Sequence, residues 1–369
     1  MNHKRTSSYV VRGDGQRLPP PTSHVGWLGA IRQSLFANPT NVVFTLLAAT
    51  LLLLIIPPLL RWAILDAIWY TTDPTACRTI AGACWAVVAE KYRVILFGTY
   101  PYTEQWRGAL VVGLITLLAI VTAIPRCWKA WLIGLWFVTA TLCTILMFGG
   151  VFGLRYVSTA SWGGLPLTMI VFLITVGLGL PLAIVLALGR RSELPVVRMV
   201  CIGIIEIVRG LPLVSVLFMM IIFVPLFLPS ELTIDKLLRA LIGMVIFFGA
   251  YAAEVVRGGL QAIPIGQYDA ARALGLRYWP ATARIILPQA LRIVIPALMN
   301  DIIRAFKNTT FVSIIGIFDV LGATKASMRD VDWVRYATEA YIFVALLFFI
   351  YCFSMSKYSE FIARRLERK

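Results

Sequence analysis

Eight nearly uninterrupted apolar stretches, near 42–60, 107–125, 131–150, 165–188, 199–228, 237–257, 288–306 and 339–360, alternate with polar segments along the chain. Most are close to the ~20 residues that a helix needs to cross ~30 Å of hydrocarbon. Nowhere is there the sustained two-residue alternation of a membrane β-barrel, so in lipid the helix remains as the way to satisfy backbone polar groups. The pattern predicts an all-α polytopic membrane protein with eight transmembrane helices. The fifth stretch is too long for one plain helix, and Arg209, Gly210, Leu211 and Pro212 interrupt it. A short amphipathic approach helix, a kink and then the crossing proper are expected there.

Composition agrees, with 59% hydrophobic and 14% charged residues. The net charge of +16 would suit nucleic acid only if the cations shared one soluble face, whereas they lie in short loops between the stretches. With eight spans, Lys4 and Arg5, Arg126 and Lys129, Arg190 and Arg191, Arg257 to Arg284, and Arg364 to Lys369 fall on one side. The opposite loops mix signs, as in Asp66, Arg78, Glu90 and Lys91, which places both termini in the cytoplasm. Residues 1–41, with Leu18-Pro19-Pro20-Pro21 and no signal-peptide pattern, read as a cytoplasmic tail.

One polar island departs from the simple alternation. Tyr268 to Leu274 (Tyr-Asp-Ala-Ala-Arg-Ala-Leu) is a helix-favouring run with an acid near its start, and Gly275 follows where a helix stops on a residue of positive φ. Leu276 to Ile286 then sets Tyr278, Trp279, Ile285 and Ile286 among Arg277 and Arg284, and Pro288 stands where the next helix can begin. A helical turn, a break and a second short helix result, a pair able to protrude as a docking knob. An amphipathic helix lying against lipid headgroups would also suit Trp279, Arg277 and Arg284.

The spacing decides between them: an acid followed by Ala-Ala, Gly six positions after the acid, nine residues, then Ile-x-Leu-Pro. This resembles the coupling loop of ATP-binding-cassette (ABC) importer permeases, whose signature reads Glu-Ala-Ala, three residues, Gly, nine residues, Ile-x-Leu-Pro, with Asp269 here in place of Glu. The resemblance implies that Asp269, Ala270, Ala271, Gly275, Ile285, Leu287 and Pro288 couple the chain to an ATPase. It extends over roughly 158–369 and narrows to polar-amino-acid importers through Trp162-Gly163-Gly164-Leu165-Pro166-Leu167-Thr168, Glu206-Ile207-Val208-Arg209-Gly210-Leu211-Pro212-Leu213 and Ala253-Glu254-Val255-Val256-Arg257-Gly258-Gly259. The whole chain is similar to the longer permease subunit of general and acidic amino-acid importers. A type I importer core of five helices is thus implied at 158–369, with the coupling loop at 258–288. Three additional helices at 42–157 precede it, with a periplasmic loop at 61–106.

Glu206 and Arg209 are three residues apart, as are Glu254 and Arg257, so each pair can neutralise itself on one helix face. Each is either a tie that fixes a helix end or a gate contact to the island. Gly258 and Gly259 would let a neighbouring helix approach closely. At the outer end of the seventh span, the segment Arg304 to Ser313 resembles the family's Lys-Asp-Thr/Ser-Ser/Thr-Leu block, and within it Lys307, Asn308, Thr309 and Thr310 become candidates for the substrate path, Lys307 as partner of an α-carboxylate. From position alone, Lys307 equally snorkels to the interface. Asn308 in the family's Asp position removes an anion that a cationic side chain would seek. Cys77 and Cys84 lie in the outward loop, where a disulfide and two free thiols both remain open. The other four cysteines read as small apolar residues.

Only His3 and His24 are histidines, and no Gly-x-x-x-x-Gly-Lys-Ser/Thr loop occurs, so no catalytic or metal site is expected, and ATP and Mg are assigned to a partner. The expected partners are an ABC ATPase dimer, a second and shorter permease, a periplasmic amino-acid-binding protein and the bilayer of the bacterial inner membrane, with no nucleic acid. An ion-gradient-driven secondary transporter is the alternative. It calls for carboxylates inside the spans and repeated halves, whereas Asp and Glu here cluster at span ends and no repeat is evident.

Overall fold

The structure, a computed structural model, describes residues 31, 35–229 and 233–367. The proline run, both histidines and the basic residues of the first 30 positions lie outside them. The chain divides into two units. In the smaller, helix α1 (Pro39–Leu60) continues into a π turn, Arg61–Leu65. None of its side chains is buried, as suits a lipid-facing helix. Residues 80–83 belong to the same unit, and the Ala83 N–H donates to the Trp62 carbonyl at 2.8 Å.

The larger unit is helical throughout its described residues apart from loops and isolated bridges. Its elements are α2 (Ala86–Phe97), α3 (Gln105–Ala123), α4 (Trp131–Phe148), α5 (Gly164–Arg190), α6 (Pro195–Gly210), α7 (Leu213–Phe218), α8 (Val224–Phe227) and α9 (Lys236–Ala262). They continue with α10 (Ile265–Ala273), α11 (Tyr278–Ala281), α12 (Leu287–Asn308), α13 (Val320–Ser327) and α14 (Ala337–Glu367). Among the described residues seven helical segments are long and apolar enough to cross a membrane, and the bent pair α6 with α7–α8, taken as one span, gives an eighth.

The long helices α5 and α9 form the central pair, with α12 packed on α9 and α14 on α12. Small residues let the central backbones close up. A Cβ at Gly179 would lie 2.5 Å from the Phe248 ring, and one at Gly249 would lie 2.9 Å from Leu182. Two apolar clusters fill the unit. One surrounds Trp162, Leu167, Leu217, Met244, Phe306 and Tyr336, and the other surrounds Ala187, Ile205, Ala253, Leu260, Ile286 and Ala290 near the island.

The end remote from the island is tightly tied. The Gly164 N–H donates to the Phe318 carbonyl at 2.8 Å. Asp319 caps α13 by accepting from the Gly322 N–H at 2.8 Å, and Lys91 of α2 pairs with Asp330 at 2.7 Å. A disulfide joins Cys77 and Cys84 with their Cα atoms 5.8 Å apart. The Cys84 N–H donates to the buried Glu339 carboxylate at the start of α14. The expected outward loop 61–106 therefore contains helix α2, which packs on α5, α13 and α14.

Several boundaries differ from expectation. Helix α9 runs to Ala262, beyond the predicted 257. The break expected in the fifth span is present, as a 112° bend between Gly210 and Leu213, but the segment after it, Leu213–Phe227, spans only ~22 Å at the α-helical rise, short of a full crossing. The second island helix is not separate either. From Tyr278 the chain passes through a π turn, Thr282–Ile286, directly into α12. Pro288 has no N–H for the carbonyl one turn back, and a π turn absorbs the lost bond without a break.

Candidate functional site

The island is built as a knob. Helix α10 ends on Gly275 at φ 70°, and the Leu276 N–H reaches back to the Ala271 carbonyl at 3.1 Å, which closes the carbonyls of the last turn. Ala271 and Ile286 are buried beneath the knob, Ile285 and Leu287 are half-buried, and Asp269, Ala270, Gly275 and Pro288 are exposed. Its outer surface also presents Ile265, Leu274 and Trp279, each at least two-thirds exposed. Two ties hold it to the body: Arg191 donates to Tyr268 Oη at 3.0 Å and to the Leu260 carbonyl at 3.1 Å, and Gln289 donates to Gln267 at 3.1 Å.

Beside these ties lies a charge cluster spanning α5, α6 and α9. Glu254 is its hub. Its carboxylate pairs with Arg257 on its own helix, with Arg190 at 3.3 Å, and with Arg209 at 3.7 Å. Arg190 also holds Glu206 at 2.9 Å. The expected Glu254–Arg257 pair is thus present within a larger set, and the expected Glu206–Arg209 pair is not. Arg190, at the end of α5, offers a guanidinium fork to two helices at once, and Arg209 turns to Glu254 instead. Sequence spacing sees only pairs within one helix, so Arg190 was missed.

A second polar group lies among α5, α7, α9 and α12. There a cavity of about 20 Å³ is lined by Thr175, Tyr251, Asp301, Arg304 and Asn308 among apolar residues, enough for about one water. The Thr175 hydroxyl is buried without a partner. Arg304 pairs with the buried Asp301 at 2.8 Å. This corrects the expectation that carboxylates keep to span ends, since Asp301 sits inside α12, where Arg304 one turn on offsets its burial. Of the four residues expected on the substrate path, only Asn308 lines the cavity. Lys307 is exposed, and the Thr309 and Thr310 hydroxyls donate to the carbonyls of Phe306 and Lys307. The reason is helical phase: 301, 304, 305 and 308 share a face, and 307 does not. That spacing of i, i+3, i+4 and i+7 was readable in the sequence, as was the matching face 244, 247, 248 and 251 on α9. Among the described residues no group of three or more His, Cys, Asp or Glu fits a metal ion.

Comparisons with known proteins identify the family. Residues 179–368 match the family model described as a binding-protein-dependent transport system inner membrane component. The inner membrane amino-acid ABC transporter permease protein YhdY of Escherichia coli (strain K12) is 43% identical, over 94% of this chain and 95% of that protein. The glutamate/glutamine/aspartate/asparagine transport system permease protein BztC of Rhodobacter capsulatus is 34% identical, over 95% of this chain and 96% of that protein. A crystal structure of an amino acid ABC transporter with histidines aligns with 55% of this chain and 92% of its own, at 29% identity and a TM-score of 0.49. With the family model covering half of the chain and both relatives aligned over nearly all of it, the chain belongs to the binding-protein-dependent transport system inner membrane components, the permeases of ABC importers.

Proposed function

We propose that this permease carries polar, acidic or general L-amino acids, with its knob seated in the groove of an ABC ATPase. The observation that carries the reading is the knob itself: a motif-matched helix pair, closed by Gly275, anchored through Arg191 and Tyr268, and exposing apolar side chains at the end of the bundle richest in arginine. That end faces the cytoplasm, as do both termini. ATP and Mg are bound by a pair of ATPase subunits. A periplasmic binding protein delivers the amino acid to the opposite end, and the amino-acid transport named for both relatives supports that cargo. Selectivity on this chain rests on the side chains around the cavity, Thr175, Asp301, Arg304 and Asn308, where the half-exposed Arg304 guanidinium suits a carboxylate.

The second permease of the complex is a shorter, related chain. The helices of residues 42–157 are extra to a five-helix core, and a shorter partner without them completes an asymmetric pair. The test is uptake of a panel of labelled amino acids by proteoliposomes containing the co-expressed complex and its binding protein, with native mass spectrometry of the same complex. ATP-dependent uptake of acidic or neutral amino acids, in a complex with one copy of this chain, is expected. No ATP-dependent uptake of any amino acid overturns the cargo, and two copies without a second permease overturn the asymmetric pair.

A further inference from the structure

Tyr251 stands between the two polar groups of the bundle and touches both. The Arg304 guanidinium of the cavity lies 5.6 Å from its ring centre, and the Arg209 guanidinium of the charge cluster lies 5.8 Å from it. Its hydroxyl donates to the Arg209 carbonyl at 3.3 Å, in the last turn of α6, where the 112° bend removes the usual helical partner. One side chain on α9 therefore lines the cavity, holds the elbow of α6 and α7, and offers its π face to two cations.

We propose that Tyr251 is a positioning residue that transmits the binding of a carboxylate at Arg304 to the island. The inference rests on the amino-acid import reading given above. In the structure Arg304 is neutralised by Asp301 yet stays half exposed, and an amino-acid carboxylate that reaches its open side competes with Asp301 for it. When Arg304 turns to that ligand, Arg209 is left as the ring's one cation. Arg209 is also the loosest member of the cluster, 3.7 Å from Glu254, while Arg190 and Arg257 sit closer to the same carboxylate. What Arg209 gains at Tyr251 it loses at Glu254, and the seam between α6 and α9 loosens. Glu254 remains bound to Arg190, and the next residue, Arg191, holds Tyr268 of the knob. From Arg304 to the knob the path thus runs through contacts that are each present, with the elbow at Leu211 as the part that moves.

The test uses the whole complex in proteoliposomes and reads the ratio of ATPase rate with amino-acid-loaded binding protein to the basal rate. Tyr251→Leu removes the ring, and Tyr251→Phe keeps the ring and removes the hydroxyl. The ratio is expected to fall at least about fivefold in Tyr251→Leu, the lower end of ordinary coupling between sites, and to stay within about twofold of wild type in Tyr251→Phe. A merely structural role lowers both rates together and leaves the ratio unchanged. An unchanged ratio in Tyr251→Leu, or an equal loss in both variants, overturns the proposal. If Tyr251→Leu does not co-purify with the ATPase, Tyr251→Met takes its place with the same expectation. A wild-type complex that no amino acid in the panel stimulates overturns the import reading, and that failure is seen before any variant is made.

Discussion

A side chain at Gly259 would carry its Cβ to 2.7 Å from the carbonyl oxygen of Ala290, across the seam between α9 and α12. The Val294 side chain is as near, so backbone and side chain both close the space. Its neighbour Gly258 has no heavy atom within 4 Å of the same point. Gly259→Val is therefore expected to cost about 1–3 kcal/mol through forced separation of the two helices. Gly258→Ala is expected to be neutral or to gain up to about 1 kcal/mol of helix propensity. Thermal unfolding of the purified chain in detergent checks the contrast, and equal effects at the two positions would refute the seam.

The helices and the knob were legible because their signals are local. Apolar run length gives the spans, and Gly275 with its flanking spacing gives the cap. The polar sites were legible only in part, because their partners come from different helices. Glu254 was singled out, yet its contacts to Arg190 and Arg209 depend on how α5, α6 and α9 cross. Within the candidate segment Arg304 to Ser313, Lys307 was singled out by resemblance and Arg304 was not, although helical phase puts 304 with 301 and 308. The path of the chain from Tyr278 to Asn308 was misread because Pro288 looks like a helix start, while the π turn before it keeps the helix continuous.

Gly275 holds φ at 70° with open space around it, so a substitution there acts through backbone strain alone. Leucine at such a position costs roughly 1–2 kcal/mol, and asparagine, which visits this conformation readily, costs less. Gly275→Leu is expected to reduce ATP-driven uptake at least about tenfold by reshaping the knob, while Gly275→Asn keeps most of it and both insert normally. Vesicle uptake measured at matched membrane levels decides, and wild-type uptake by Gly275→Leu would remove the knob from the coupling path.

Burial pushes the Asp319 carboxyl up to about 7, against hydrogen bonds from Gly322 and Leu321 that favour its charged form. An aspartate in an unfolded chain titrates near ~3.9. The folded protein holds this proton more tightly, so the group's contribution is fully present below pH ~4 and is lost as pH rises through about 7, on the order of 4 kcal/mol at most. Asp319→Asn keeps a cap for α13 and removes the titration. The variant is expected to melt higher than wild type at pH 8 and close to it at pH 5. Melting curves at the two pH values test this, and a variant that loses stability equally at both would show the carboxylate to be needed in its charged form.

Glu206 and Glu254 belong to one charge cluster but differ in what they hold. Glu206 is 54% exposed and, among the described residues, forms a salt bridge with Arg190 only, whereas Glu254 is 23% exposed and pairs with Arg190, Arg209 and Arg257. An exposed pair is worth little in water, commonly below about 1 kcal/mol. Neutralising the hub instead leaves three guanidiniums from α5, α6 and α9 crowded together without their shared anion, and like charges at such range repel. Glu254→Gln is therefore expected to lower stability by about 1–3 kcal/mol and to reduce coupled uptake about tenfold or more, with a milder effect of Arg257→Gln because Arg190 and Arg209 then keep their carboxylate. Glu206→Gln should stay within about 0.5 kcal/mol of wild type. Melting and uptake measured on the three variants in parallel separate hub from rim, and a Glu206→Gln loss as large as that of Glu254→Gln would show that the cluster has no hub.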